Sequence, residues 1–342
     1  MRKLVYLLML GILCTLSTQA LATVYTYNMG AGDSLGNSSF NTAGQWVAAN
    51  GGTALLPASG APNDTNVYYT GGNLLRGPAS GSAYTFAGDV LRIGYSSTGT
   101  LTTAFTSGGA ANNDCLIFKV AGQSLTIPNL VLDAGVVRDG LGTSQTCSLN
   151  GNLYVTANGG GFNAQCYSSI NSVISGPGPI YVGDNGSGEA GRTLIFTSPL
   201  STYAGNIIMA PASGADATRS RLQFAAGSIM NFTIGASGVN NKISGTGTVT
   251  YDGAFNINLT AASTNLGDSW VLSSPTAPVY DATFSINGFT NAGSGYWLAD
   301  ANSTTYEYNT ANGTLTVVPE PATIVMVLTG LVGIGLMWFR KK

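Results

Sequence analysis

ISGPGPIYVGDNGSGEAGRTLIFTSPLSTYAGNIIM, residues 174–209, decides the fold class. Its apolar runs are Ile180-Tyr181-Val182, Leu194-Ile195-Phe196 and Ile207-Ile208-Met209, and Gly, Pro, Asn and Asp lie between them. Each run is far shorter than a helix, and none carries the helical period. β-Branched and aromatic side chains suit a pleated, half-buried surface. Gly and Asn accept the backbone angles of tight turns. The stretch therefore reads as short strands closed by turns.

The same grammar extends both ways. SAYTFAGDVLRIG, CLIFKVAG, QSLTIPNLVLDAGVV, GNLYVTANGG, SRLQFAAG and GTVTYDG repeat it between residues 71 and 253. Their irregular spacing suits a solenoid with variable loops, in which each strand pairs with its equivalent one turn away. Inward Val, Ile, Leu and Phe would then stack into one core, and outward Thr, Ser and Asn would face water. An antiparallel β-sandwich is the competing fold for the same phrases. The opening stretch also resembles the autotransporter-associated β-strand repeat. Ser175, Gly176, Gly178 and Ile180 match its start, and Leu194, Phe196, Tyr203, Gly205 and Ile208 match the rest. An insertion between the halves and Pro199 depart from it, and ISGTGTVTYDG from Ile243 is a partial second copy. That resemblance implies a right-handed parallel β-helix, so the expected class is all-β.

Residues 23–70 read as an N-terminal cap whose SSFNTAGQWVAANGG phrase resembles the starts of secreted bacterial β-helix proteins. Trp46 is expected to plug the open end of the solenoid, since an uncapped end is an aggregation edge. Residues 254–317 change style and concentrate Tyr296, Trp297, Tyr306 and Tyr308, which reads as a C-terminal β module packed by aromatics.

Both termini read as addresses. Residues 1–22 form a signal helix: Arg2 and Lys3 lead an apolar run that ends in Ala20-Leu21-Ala22, a small-residue cleavage site. Residues 322–339 are uncharged and reach roughly 27 Å as a transmembrane helix, enough to cross most of a bilayer core. Arg340, Lys341 and Lys342 then act as the membrane stop on the cytoplasmic side. Val318-Pro319-Glu320-Pro321-Ala322, the apolar span and the closing RKK together resemble the PEP-CTERM sorting signal of Gram-negative bacteria, residues 318–342. The resemblance implies an exosortase-type partner that reads Pro319, Glu320 and Pro321. It also implies transient anchoring in the inner membrane and delivery to the outer surface or extracellular matrix.

Charge and composition narrow the function. Residues 23–318 carry 8 Lys and Arg against 14 Asp and Glu, a net charge of −6, which argues against nucleic acid as partner. The chain has no histidine, which rules out Ser-His-Asp and Cys-His triads and His-ligated zinc. The best local carboxylate groups are Asp133, Arg138 and Asp139 in one phrase, and Asp184 with Glu189 in another. Asp beside Gly is ordinary turn chemistry, so neither group is expected to be catalytic or to hold a metal. No cofactor is expected. Cys14 falls within the signal. Of Cys115, Cys147 and Cys166, the nearer pair Cys147 and Cys166 is compatible with one disulfide in an oxidising compartment, and three buried thiols fit equally. The expectation is a non-catalytic, surface-displayed protein associated with exopolysaccharide or adhesion. The competing class is a carbohydrate-active β-helix enzyme, which needs carboxylates gathered on one face.

Overall fold

The computed structural model describes residues 24–27, 46–48, 64–71, 74–78, 83–94, 115–118, 120–139, 146–164, 167–183, 192–199, 201–210 and 220–319. The expected signal and transmembrane segments lie outside these residues. Among the described residues every regular element is a strand, and no helix is long and apolar enough to cross a membrane. The chain is all-β.

Among the described residues nineteen strands join one sheet that winds through three faces. The first face takes Asp64–Tyr69, Gly88–Gly94, the second half of Gln123–Asp133 and of Thr146–Val155, and Val173–Ser175. The second takes Ala83–Thr85, the first halves of those two long strands, Tyr167–Ile170, Leu194–Phe196, Arg221–Phe224 and the ends of Ile243–Tyr251 and Ser273–Tyr280. The third takes Leu75–Arg76, Cys115–Phe118, Gly135–Asp139, Gly160–Asn163, Ile180–Gly183, Ile207–Met209 and the starts of the same last two strands. All these pairings are parallel, which sets the sandwich aside in favour of a β-helix-like solenoid. Further along, Ile229–Thr233, Ala254–Asn258 and Ser285–Asn287 form a separate three-stranded parallel sheet.

Alternation explains the register. On the second face Tyr84, Leu125, Leu149, Ile170, Phe196, Phe224, Tyr251 and Tyr280 stand in one column, each paired with the next coil. A slip of one residue would turn this whole column to solvent, so burial fixes the pairing. Leu91, Leu130, Leu153 and Ile174 make the corresponding column on the first face, and Leu116, Val137, Phe162, Val182 and Met209 on the third. They meet in one core in which Phe162–Phe196 and Phe196–Phe224 are edge-to-face at 6.0 and 5.7 Å. The strand Thr146–Val155 turns from the second face to the first at Gly151. There φ is +106° and a Cβ would sit 1.9 Å from the Ile127 carbonyl oxygen, so only glycine fits.

Both ends are closed. Val24–Tyr27 stacks parallel on Asp64–Tyr69, and Trp46–Ala48 runs antiparallel along its other edge. Trp46 is fully buried and meets the ring of Tyr68 edge-on at 5.2 Å, with Phe86 at 6.3 Å, as expected of an end plug. At the C-terminal end five antiparallel strands form a sheet in the order Ser269–Val271, Thr314–Val318, Thr304–Asn309, Tyr296–Ala301, Thr290–Gly293. Trp297 packs edge-on against Phe284 at 5.6 Å, and Tyr308 against Phe255 at 5.9 Å. Gly313 lets this sheet close on the last coil, because a Cβ there would sit 1.8 Å from the Ser273 carbonyl oxygen. Parallel pairing persists through Ser285–Asn287, beyond the change of style at residue 254. The alternation of FNINLT and SINGF is the same in either pairing mode, so composition does not mark where the mode switches.

Candidate functional site

Asp133 is the one candidate carboxylate whose side-chain surroundings are defined. It ends the long strand Gln123–Asp133 at a corner where Ala134 adopts a left-handed backbone, φ +59°. Stacking brings Arg92 of the preceding coil and Thr156 and Asn158 of the next coil to the same carboxylate. Arg92 Nε donates to Oδ2 at 3.1 Å and Nη2 donates to the same oxygen. Oδ1 accepts from Thr156 Oγ1 at 2.6 Å and Asn158 Nδ2 at 2.8 Å. Burial by itself would raise the pKa of Asp133. The bonds from Thr156, Arg92 and Asn158 and the Arg92 charge outweigh it and hold the group below its usual value. Such an acid stays ionised and occupied. It clamps three coils together, a poor starting point for general acid or base chemistry.

The other candidates do not join it. Arg138 lies in the third-face strand, paired with Ile117 and Asn163, around the corner from Asp133. Asp139 follows it, opposite Phe118, and only its backbone is described. Asp184 and Glu189 lie outside the described residues. No group of three or more Cys, Asp or Glu is gathered for a metal among the described residues. Cys115 and Cys147 are buried, Cys147 with Sγ 3.3 Å from Ser168 Oγ, and Cys166 lies outside the described residues. Tyr306 and Tyr308 are fully buried, and the Tyr308 hydroxyl meets that of Tyr280 at 2.7 Å. These rings join cap to coil. Desolvation raises the pKa of Tyr308 and keeps it neutral.

Of the tail triplet, Pro319 is described. It is exposed and follows directly on the strand Thr314–Val318, while Glu320 and Pro321 lie outside the described residues. The proline has no N–H to continue the ladder, and the strand ends at Val318 before it.

Sequence reasoning missed the outward side of the second face. Its middle row, fixed by the pairings, is Ala83, Ser124, Ser148, Ser169, Ile195, Gln223, Thr250 and Val279. To one side stand Thr146 and Tyr167, then Arg221 and Thr248, in register. To the other, amides form a ladder: Asn150 Nδ2 donates to Ser124 Oγ at 2.9 Å, Asn171 Nδ2 to Asn150 Oδ1 at 2.9 Å, and Thr197 Oγ1 to Asn171 Oδ1 at 2.6 Å. The first face carries a shorter ladder, in which Asn152 Nδ2 donates to Asn129 Oδ1 at 3.2 Å and Asn129 Nδ2 to Asp89 Oδ1 at 3.0 Å. Asparagines recurring at polar strand positions were the available signal.

Comparison with known proteins brings no relative to bear. No protein-family model, curated protein or solved structure matches the chain.

Proposed function

We propose that this chain is a non-catalytic, surface-displayed solenoid, a right-handed parallel β-helix sorted through its Pro-Glu-Pro tail and held among extracellular polysaccharide. The observation that carries the reading is that the last described strand, Thr314–Val318, ends at the exposed Pro319, the first residue of the triplet. At the other end the first described strand, Val24–Tyr27, follows the Ala20–Ala22 site in the sequence. Every described strand therefore lies between the two expected processing points. A processing enzyme needs extended, accessible chain, and a proline on each side of Glu320 is a sequence that disfavours helix and sheet. Until it is processed, the span 322–339 with Arg340, Lys341 and Lys342 holds the chain in the inner membrane. The exosortase-type enzyme is then the one partner that the chain must meet.

The test is to replace Pro319, Glu320 and Pro321 together by Ala and fractionate the cells. The altered chain is expected to accumulate in the inner membrane with its tail, while the native chain reaches the surface. Equal surface display of both would overturn the sorting reading.

A further inference from the structure

The second face offers a long surface whose described outward side chains carry little charge. Its outward side chains remain partly or fully exposed from Ala83 to Thr250. Across that span the middle row repeats a hydroxyl or amide at most rungs, and Arg221 is the one charged side chain among the outward positions named above. Several partner classes fit it poorly. A polyanion needs cations in number, and the net charge of −6 on residues 23–318 repels it. A protein interface needs an extensive apolar, aromatic centre, and between Ala83 and Thr250 Ile195 and Tyr167 are the two large apolar side chains named among hydroxyls and amides. A membrane surface needs an apolar stripe or a basic one. An uncharged polymer that carries its own hydroxyls at a regular repeat fits. The rungs are about 4.8 Å apart, close to the advance of one ring in an extended glycan. Tyr167, 43% exposed, presents an aromatic plane beside the row for the apolar face of a sugar.

We propose that the second face binds an extended, uncharged polysaccharide lying along the coil axis, paired with Ser148, Ser169, Gln223 and Thr250 and stacked on Tyr167. The inference rests on the reading of matrix display and gives it a site and a ligand class. The test is retention of the full-length chain in detergent on microcrystalline cellulose, curdlan and cross-linked dextran, with alginate as the acidic comparison. Retention is expected on at least one neutral glycan and not on alginate. The Ser148→Glu/Ser169→Glu pair should weaken it about tenfold or more, and Tyr167→Ala alone several-fold. Asn152→Asp/Tyr154→Ala on the first face should leave it unchanged. Thermal melting of each variant separates lost binding from lost fold, and Tyr167→Ala carries the test if the double variant does not fold. Wild-type retention by the second-face variants, or no retention of the native chain on any neutral glycan, would overturn the assignment. Tail processing is read in the same cells: a chain that is sorted but ignores glycan sinks this site alone, and one that is never sorted sinks the reading beneath it.

Discussion

At the scale of the residue, Asp133 shows what stacking does to chemistry. Its partners are 41 residues before it and 23 and 25 after it, yet they converge on one carboxylate because each lies one coil away. Sequence reading could single out Asp133 beside Arg138 and Asp139, but the partner that matters is Arg92, which no local motif predicts. Replacing Asp133 by Ala leaves Thr156, Asn158 and Arg92 without their acceptor, and should cost about 1–3 kcal/mol in urea unfolding. Acid should act on the same group. Its folded pKa lies below its unfolded value, so its stabilisation is complete above the unfolded value, about 4, and is lost as pH falls through the lower folded one. Asp133→Asn should flatten that acid limb of the stability profile. An unchanged limb would mean that other carboxylates set it. Trp46, by contrast, was legible: a large aromatic in a turn-rich entry segment has few places to go except the open end of the core.

At the scale of the element, the phrases were legible as strands and their partners were not. QSLTIPNLVLDAGVV reads as one phrase, but it turns two corners and contributes to three faces. Only the pairing with neighbouring coils reveals this, because alternation alone fixes which side chains are inward and not where the sheet bends. The last strand of the large sheet, Ser273–Tyr280, has a different problem. Within that sheet it pairs with Ile243–Tyr251 alone and carries Pro275 and Pro278. Prolines remove ladder donors and belong on edges, where they discourage pairing with another molecule. Pro275→Thr/Pro278→Thr should restore those donors and promote self-association, visible as a concentration-dependent larger species in sedimentation velocity. A variant that stays as dispersed as the native chain would show that the cap, with Gly313 against Ser273, already protects this edge.

At the scale of the whole molecule, the fold is a stack whose coils touch mainly their neighbours, closed by Trp46 at one end and by the antiparallel sheet at the other. Such an array needs its two caps more than any single coil, since an uncovered end exposes both core and ladder. At the C-terminal cap the last described strand, Thr314–Val318, ends at the exposed Pro319, and that is what links architecture to the proposed sorting. Among the described residues Val24 opens the first paired strand and Val318 closes the last. That the last described strand ends at the first proline of the triplet was not legible, because it depends on which residues find a partner in the sheet. The most direct measurement is the intact mass of the surface form purified from cells. The account predicts a chain that starts at Thr23 and has lost the apolar span and Arg340-Lys341-Lys342. A surface form that still carries those three cations would contradict it.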